Sequence, residues 1–84
     1  MSRARDVVEV VARALADRPD AVRVTERTAR GSTLVELFMA PGDLGRVIGR
    51  QGRTAAAMRT LVSAAADLEG GKATLEFRDD AGPR

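Results

Sequence analysis

The sequence contains no cysteine and no histidine, and its only aromatic residues are Phe38 and Phe77. Without cysteine the chain can form neither a disulfide nor a thiolate zinc site, which suits the reducing cytoplasm. Without histidine it lacks the commonest general base and the commonest metal ligand. No apolar run approaches the roughly 20 residues that a membrane-spanning helix needs. We therefore expect a cytoplasmic protein that is not an enzyme, with no metal, cofactor, small-molecule substrate or membrane partner.

Lysine is nearly absent too, since Lys72 is the only one among 14 basic residues. A GC-rich genome favours arginine codons, and this explains most of the arginines. It does not explain their distribution. Positions 42–66 carry four arginines and one acid, a charge of +3, whereas the whole chain is +2 and the remainder is therefore −1. This concentration of positive charge indicates an anionic partner.

The length of 84 residues allows one domain with a single thin core. The apolar share of 44% is ordinary for a globular protein. We expect one domain over residues 1–84, with its core at about 6–78 and a flexible polar tail at 79–84.

Hydrophobic periodicity predicts three helices and three strands. On the first helix Val8, Val11 and Leu15 share a face, with Val7 and Ala12 at its flanks. The apolar face of the last helix consists of Met58, Leu61, Val62 and Ala65. In chain order we expect a helix over 6–17, a strand from 22, a turn at 30–32, a strand over 33–39, a helix from 41 to the glycine at 49, a helix from about 53 to 68 and a strand over 73–78.

The last two helices are joined by Gly49-Arg50-Gln51-Gly52, here called the G-x-x-G loop. We expect Gly49 to take the left-handed conformation that ends many helices. The helix that follows presents free N–H groups and the positive end of its dipole, and a phosphate is stable there. Arginine binds phosphate oxygens well, so the arginines around this loop support the same interpretation.

The run from Val47 to Arg53 resembles the hydrophobic-Ile-Gly-x-x-Gly signature of KH domains, which bind single-stranded nucleic acid. The wider run over 45–54 resembles more narrowly the small bacterial KH-domain RNA-binding proteins of the KhpA family, which is UPF0109-like. The resemblance covers nearly the whole chain in length and element order. It departs at Ala55, where KH domains usually carry a large aliphatic residue, so the apolar groove is expected to be shallower.

The resemblance implies an α+β fold, the type II KH domain, with the order α-β-β-α-α-β. Three helices would cover one face of a three-stranded mixed sheet. The first two strands would form an antiparallel hairpin, and the third would return parallel to the second through a right-handed crossover.

The resemblance also implies a single-stranded RNA-binding protein, an RNA chaperone or post-transcriptional regulator, whose loop grips the phosphate backbone. We expect Val47 or Ile48 to be fully buried, both phenylalanines to pack in the core and Arg59 to lie on a solvated face. The RNA-binding residues implied are Gly49, Arg50, Gln51 and Gly52 in the loop, Arg46 and Arg53 beside it, and Val47, Ile48 and Ala55 in the groove.

Three other interpretations are weighed against RNA binding. The first is a dimerisation or adaptor module, because members of the family resembled self-associate or pair with a second, KhpB-like KH protein. The second is a nucleotide-binding enzyme, but the glycines follow a helix rather than a strand, and no lysine lies near them as a P-loop requires. The third is a helix-turn-helix that binds duplex DNA, but the arginines gather at the turn rather than along the second helix.

Overall fold

The structure is a computed structural model that describes residues 2–78, and at position 50 the backbone alone. Three helices cover one face of a three-stranded sheet, in the order α-β-β-α-α-β, so the expected fold class is confirmed. The proposed tail at 79–84 lies outside the described residues. The elements are α1 (Arg3–Leu15), a 3-10 turn (Pro19–Ala21), β1 (Arg23–Ala29), β2 (Ser32–Phe38), α2 (Pro41–Ile48), a 3-10 turn (Arg50–Gly52), α3 (Arg53–Leu68) and β3 (Lys72–Arg78).

The sheet has β2 at its centre, antiparallel to β1 and parallel to β3, as expected. Leu37 of β2 pairs with Val24 on one side and with Phe77 on the other. The β1–β2 hairpin turns at Arg30 and Gly31, whose φ angles are 55° and 78°. Two positive φ angles are typical of a type I′ turn, whose twist matches that of the strands it joins. Because β2 is buried on the helical face, its register fixes which residues of all three strands meet the helices.

The first helix differs from its prediction in its start and in its buried face. It begins at Arg3 because the Ser2 hydroxyl accepts a hydrogen bond from the Arg5 N–H and caps the helix. Its buried residues are Ala4, Val8 and Ala12, whereas the predicted Leu15 is exposed. The two alanines lie on the same face as Val8, four residues before and after it. Because their side chains are small, the helix can approach its neighbours closely.

The third helix runs from Arg53 to Leu68 as predicted, but Leu61 is 45% exposed and does not belong to the core. Met58, Val62 and Ala65 are buried as predicted, and Ala55 is buried with them. Gly70, which has a φ of 74°, stops the helix just after Leu68, and the N–H of Gly71 donates a hydrogen bond to the Ala66 carbonyl. This is the glycine C-cap that the sequence predicts.

No helix within the described residues 2–78 covers the opposite face of the sheet. Phe38 lies on this face rather than in the helical core, and the guanidinium of Arg23 covers its ring at 5.3 Å. Within residues 2–78, no helix has the length and apolar content that crossing a membrane requires.

The second helix is anchored at its start by the buried carboxylate of Asp43. Its two oxygens accept hydrogen bonds from the backbone N–H groups of Asp17 and Arg18, at 3.1 and 3.0 Å. Arg46, one turn along α2, donates to the same carboxylate at 2.6 Å. The N–H groups of Arg18 and Asp17, followed by the Arg46 guanidinium, hold the pKa of Asp43 below its ordinary value. Asp43 therefore ties α2 to the segment that follows α1.

Replacing Asp43 by Asn should lower the melting temperature at pH 7, because the amide has one acceptor oxygen for two backbone donors and no charge for Arg46. The pKa of Asp43 is lower in the folded state, so the carboxylate stabilises the fold above the unfolded-state pKa near 3.8. That stabilisation is lost as the pH falls through the folded-state pKa.

Thermal melts of wild type and Asp43→Asn between pH 7 and pH 2 should therefore show a gap that narrows below about pH 4. Asp67→Asn, at an exposed position on α3, is the matched control and should change little. Equal melting temperatures at pH 7, or a gap that does not depend on pH, would contradict the anchoring role.

Candidate nucleic-acid interface

The connection between α2 and α3 consists of the four residues of the G-x-x-G loop alone. The Gly52 N–H donates to the Gly49 carbonyl at 3.0 Å and closes the turn. Gln51 and Gly52 have φ angles of 63° and 71°, both in the left-handed region. The side chain of Gln51 is exposed, so the loop forms a surface tip between the two helices.

Gly49 does not have the left-handed conformation that the sequence interpretation assigned to it. Its φ and ψ are −66° and −162°, and the left-handed residues are instead Gln51 and Gly52. Glycine is needed at position 49 for space, because a Cβ would stand 2.9 Å from the Gly45 carbonyl oxygen. The Gly49 N–H donates to that same oxygen at 2.8 Å and ends α2.

The first turn of α3 presents its backbone N–H groups without a side-chain cap. The residue at the cap position is Gly52, and the first turn contains no acid. Arg53 is exposed at the first position of the helix. The free donors and the positive end of the dipole of this 16-residue helix therefore lie directly beside the loop tip.

Next to the loop, an open groove of about 300 Å³ runs between the helices and the edge strand β3. Ile48 lies in this groove and is 46% exposed, while Ala55 is buried at its wall. Val47 is buried in the core, which confirms that one of these two aliphatic residues is buried. The structure thus brings Ile48 and Ala55 together at the groove and directs Val47 elsewhere.

Arg59 and Phe77 line the same groove, and the sequence interpretation missed both. Phe77 is half-buried rather than in the centre of the core, and the Arg59 guanidinium lies over its ring at 5.0 Å. Arg59 is exposed, as expected, and the contact of its guanidinium with Phe77 is what the sequence did not predict. A signal was present, because Arg59 follows Ala55 by four residues and so lies on the same helix face.

Arg46 has a different environment from the one expected for a phosphate-binding residue. Its guanidinium donates to Asp43 at 2.6 Å and lies 3.4 Å from the carboxylate of Asp17. The hydrogen bond to Asp43, followed by the charge of Asp17, raises the pKa of Arg46. Arg46 therefore also anchors α2, and its contribution to phosphate binding stays a prediction.

The tight contact at Gly49 leads to a prediction that compares two glycines. Gly49→Ala should lower the free energy of unfolding by roughly 1–3 kcal/mol, the range for an overpacked site, because the new methyl group meets backbone. Gly45→Ala should be neutral or stabilising by up to about 1 kcal/mol, because its Cβ meets nothing within 4 Å and alanine favours helix. Urea unfolding measures both, and equal stability of the two variants would contradict the steric argument.

The sequence of this chain is similar to those of a family of known proteins. The family model described as KhpA/KhpB, KH domain, matches residues 5–77. A protein of Caldanaerobacter subterraneus named RNA-binding protein KhpA is 49% identical over 72 residues, which are 86% of this chain and 96% of the relative. The protein of that name from Aquifex aeolicus is 43% identical over 92% of this chain and 98% of its own length.

A third relative of the same name, from Mycobacterium tuberculosis, is 53% identical over 69% of this chain and 72% of its own length. The matched residues 5–77 include the G-x-x-G loop, both helices that it joins and nearly all of the sheet. The chain therefore belongs to the KhpA/KhpB family of KH domains.

Proposed function

We propose that the chain is a cytoplasmic single-stranded RNA-binding protein, an RNA chaperone or post-transcriptional regulator, rather than an enzyme, and that it needs no metal or cofactor. The observation that carries this proposal is the uncapped start of α3 beside an exposed G-x-x-G tip and an open apolar groove. The relatives support it, since they are named RNA-binding proteins.

In this proposal the loop and the start of α3 hold the phosphate backbone. Gly49 and Gly52 have no side chains to keep a phosphate away from the backbone N–H groups. Arg50, Gln51 and Arg53 add two positive charges and hydrogen-bond donors within one turn of chain. KH loops of this kind clamp about four backbone nucleotides, which matches the size of the tip.

The bases would then lie along the groove beside β3. Ile48 offers an exposed aliphatic surface, and Ala55 leaves more room there than a large residue would. The guanidinium of Arg59, stacked on Phe77, forms a flat cationic surface against which a base can stack. One such stack in a groove of about 300 Å³ supports a modest affinity for a single domain.

The double variant Arg50→Asp with Gln51→Asp should abolish detectable RNA binding and leave the fold intact. Two carboxylates would stand where a phosphate must lie, and they could occupy the free N–H groups themselves. Like charges at contact distance repel by about 1 kcal/mol in water and more when partly desolvated. Gln51 is exposed, so the change in the free energy of unfolding should stay within about 0.5 kcal/mol.

The measurement is a titration of fluorescent single-stranded RNA together with a thermal melt. Arg13→Glu with Ala14→Glu introduces the same change in net charge at exposed positions of α1, and this control should retain most of the binding. Unchanged affinity and an unchanged melt in the loop variant would place the RNA-binding surface elsewhere.

A second candidate function, self-association, is favoured by one stripe on α3. The residues at positions 57, 61, 64 and 68 are apolar, follow helical spacing and are all exposed. Leu68 alone is 76% exposed. We propose that a second copy of the chain covers this stripe, with a KhpB-like protein as the alternative occupant, and that the RNA groove stays open in either complex.

Leu61→Gln with Leu68→Gln should convert a dimer into a monomer, with the mass falling from about twice 8.9 kDa to 8.9 kDa. Ala56→Gln with Ser63→Gln has the same seven-residue spacing on another exposed part of α3 and should leave the mass unchanged. Light scattering after size exclusion measures the mass. A wild type that stays monomeric as its concentration rises would exclude the homodimer.

A further inference from the structure

The face of the sheet opposite the helices, here called the open sheet face, carries an unusual share of the basic residues. The strand register places on it the side chains that alternate with the core residues of each strand. They include Arg23, Thr25 and Arg27 from β1, Leu34, Glu36 and Phe38 from β2, and Lys72, Thr74, Glu76 and Arg78 from β3.

Four of these residues are basic and two are acidic, so the face has a charge of +2, which equals that of the entire chain. The segment over 42–66 has a charge of +3, so the remaining residues together sum to −3. A sum along the sequence does not show where on the molecule the charge lies. Here the strand register does, because it puts all six charged residues on one side of one sheet.

The buried carboxylate of Glu36 organises the cations on this face. It accepts hydrogen bonds from Arg78 at 2.8 Å and from the Thr25 hydroxyl at 3.2 Å, and it lies 3.6 Å from Arg27. The Glu36 side chain is only 11% exposed, whereas that of Arg27 is 77% exposed. An approaching molecule therefore meets guanidinium groups with the Glu36 carboxylate held beneath them, and Glu76 is the one exposed carboxylate among the described residues of this face.

Arg23 adds a flat surface to the charge. Its guanidinium lies over Phe38 at 5.3 Å, and the arginine itself is exposed. The same arrangement occurs in the groove, where Arg59 covers Phe77 at 5.0 Å. An arginine held flat in this way can stack with a nucleic-acid base and can still donate to a phosphate.

The open sheet face is continuous with the groove across the edge strand β3. Phe77 lines the groove, and its neighbour Arg78 lies on the open sheet face. Glu76 belongs to both surfaces, because it lies on the open sheet face and also lines the groove. Arg78 pairs with Phe38, and Phe38 pairs with Arg23, so two strand spacings of about 4.8 Å separate Arg78 from Arg23. An RNA strand that leaves the groove at Arg78 would therefore reach Arg23 after about 10 Å.

We propose that the open sheet face is a second RNA contact, which binds the phosphate backbone of nucleotides that leave the groove over β3. The proposal rests on RNA binding by the G-x-x-G loop and extends it to longer strands. The partner is an RNA strand rather than an anionic membrane, because the face is continuous with the RNA groove and pairs its charge with the Arg23–Phe38 stack.

The test compares uridine oligonucleotides of 5 and 12 nucleotides, the first sufficient for the loop and groove and the second able to cross β3. Arg23→Gln with Arg27→Gln should leave affinity for the 5-mer within about twofold and weaken the 12-mer about tenfold at low salt. The slope of log affinity against log salt for the 12-mer should become shallower by about 1.4, since each phosphate contributes about 0.7. The greater number of binding registers on the 12-mer affects both proteins equally.

The matched control is Arg3→Gln with Arg13→Gln, which removes two exposed arginines from α1 and should bind both RNAs like wild type. The proposal would be overturned if the sheet variant lost affinity equally for both RNAs or kept its affinity for the 12-mer. It would also be overturned if the control variant lost as much affinity as the sheet variant. Wild type that binds neither RNA would overturn the G-x-x-G function itself. Phosphatidylserine vesicles form a further arm, and vesicle binding lost in the sheet variant with RNA affinities unchanged would assign the face to membranes and overturn the proposal.

Discussion

The close approach of Gly49 to the Gly45 carbonyl determines how the two helices of the site meet. The hydrogen bond of 2.8 Å ends α2, and the absence of a Cβ lets α3 begin four residues later. At its other end α2 is fixed by Asp43, which accepts hydrogen bonds from two backbone N–H groups of the segment after α1. The eight-residue helix α2 is therefore held at both ends, and in the orientation that results Val47 is buried while Ile48 is left exposed at the groove.

The sequence predicted the elements, the sheet order and the position of the loop, because these depend on local periodicity, turn residues and short connections. It predicted only some of the apolar residues that are buried. Alanines contribute little to a hydrophobic pattern, yet Ala4 and Ala12 are buried while Leu61 is exposed. The choice depends on how closely α1 and α3 approach the sheet and each other, a tertiary property that no window of sequence contains. The conformation of Gly49 was missed for a similar reason, since glycine is required both where φ is positive and where space is lacking.

The roles of the arginines were the least predictable part of the site. Counting charge along the chain grouped Arg46 with the loop, but it did not show that Asp17, 29 residues earlier, forms an ion pair with Arg46. The same count gave no weight to Arg23 and Arg27, which lie far from the loop in sequence. Only the strand register shows that they share a face with Arg78 and that Glu36 lies beneath them. The net charge of a segment is a simple sum along the sequence. Recognition of an anionic partner depends instead on which charged side chains share a surface and on which of them already pair with a carboxylate.

A domain of this size with one aromatic stack in its groove can increase its affinity for RNA in two ways, and they differ physically. A second copy doubles the contacts only when protein concentration is high enough for the dimer to form. A second surface on the same chain would need no assembly, because in the proposed complex an RNA held by the loop would present its next nucleotides to the sheet at an effective concentration in the millimolar range. The second route requires a continuous path between the two surfaces. The edge strand β3 provides it, since Phe77 faces the groove and the next residue, Arg78, lies on the open sheet face. In the two proposals taken together, the alternation of side chains along a single strand links the groove and the open sheet face into one binding path.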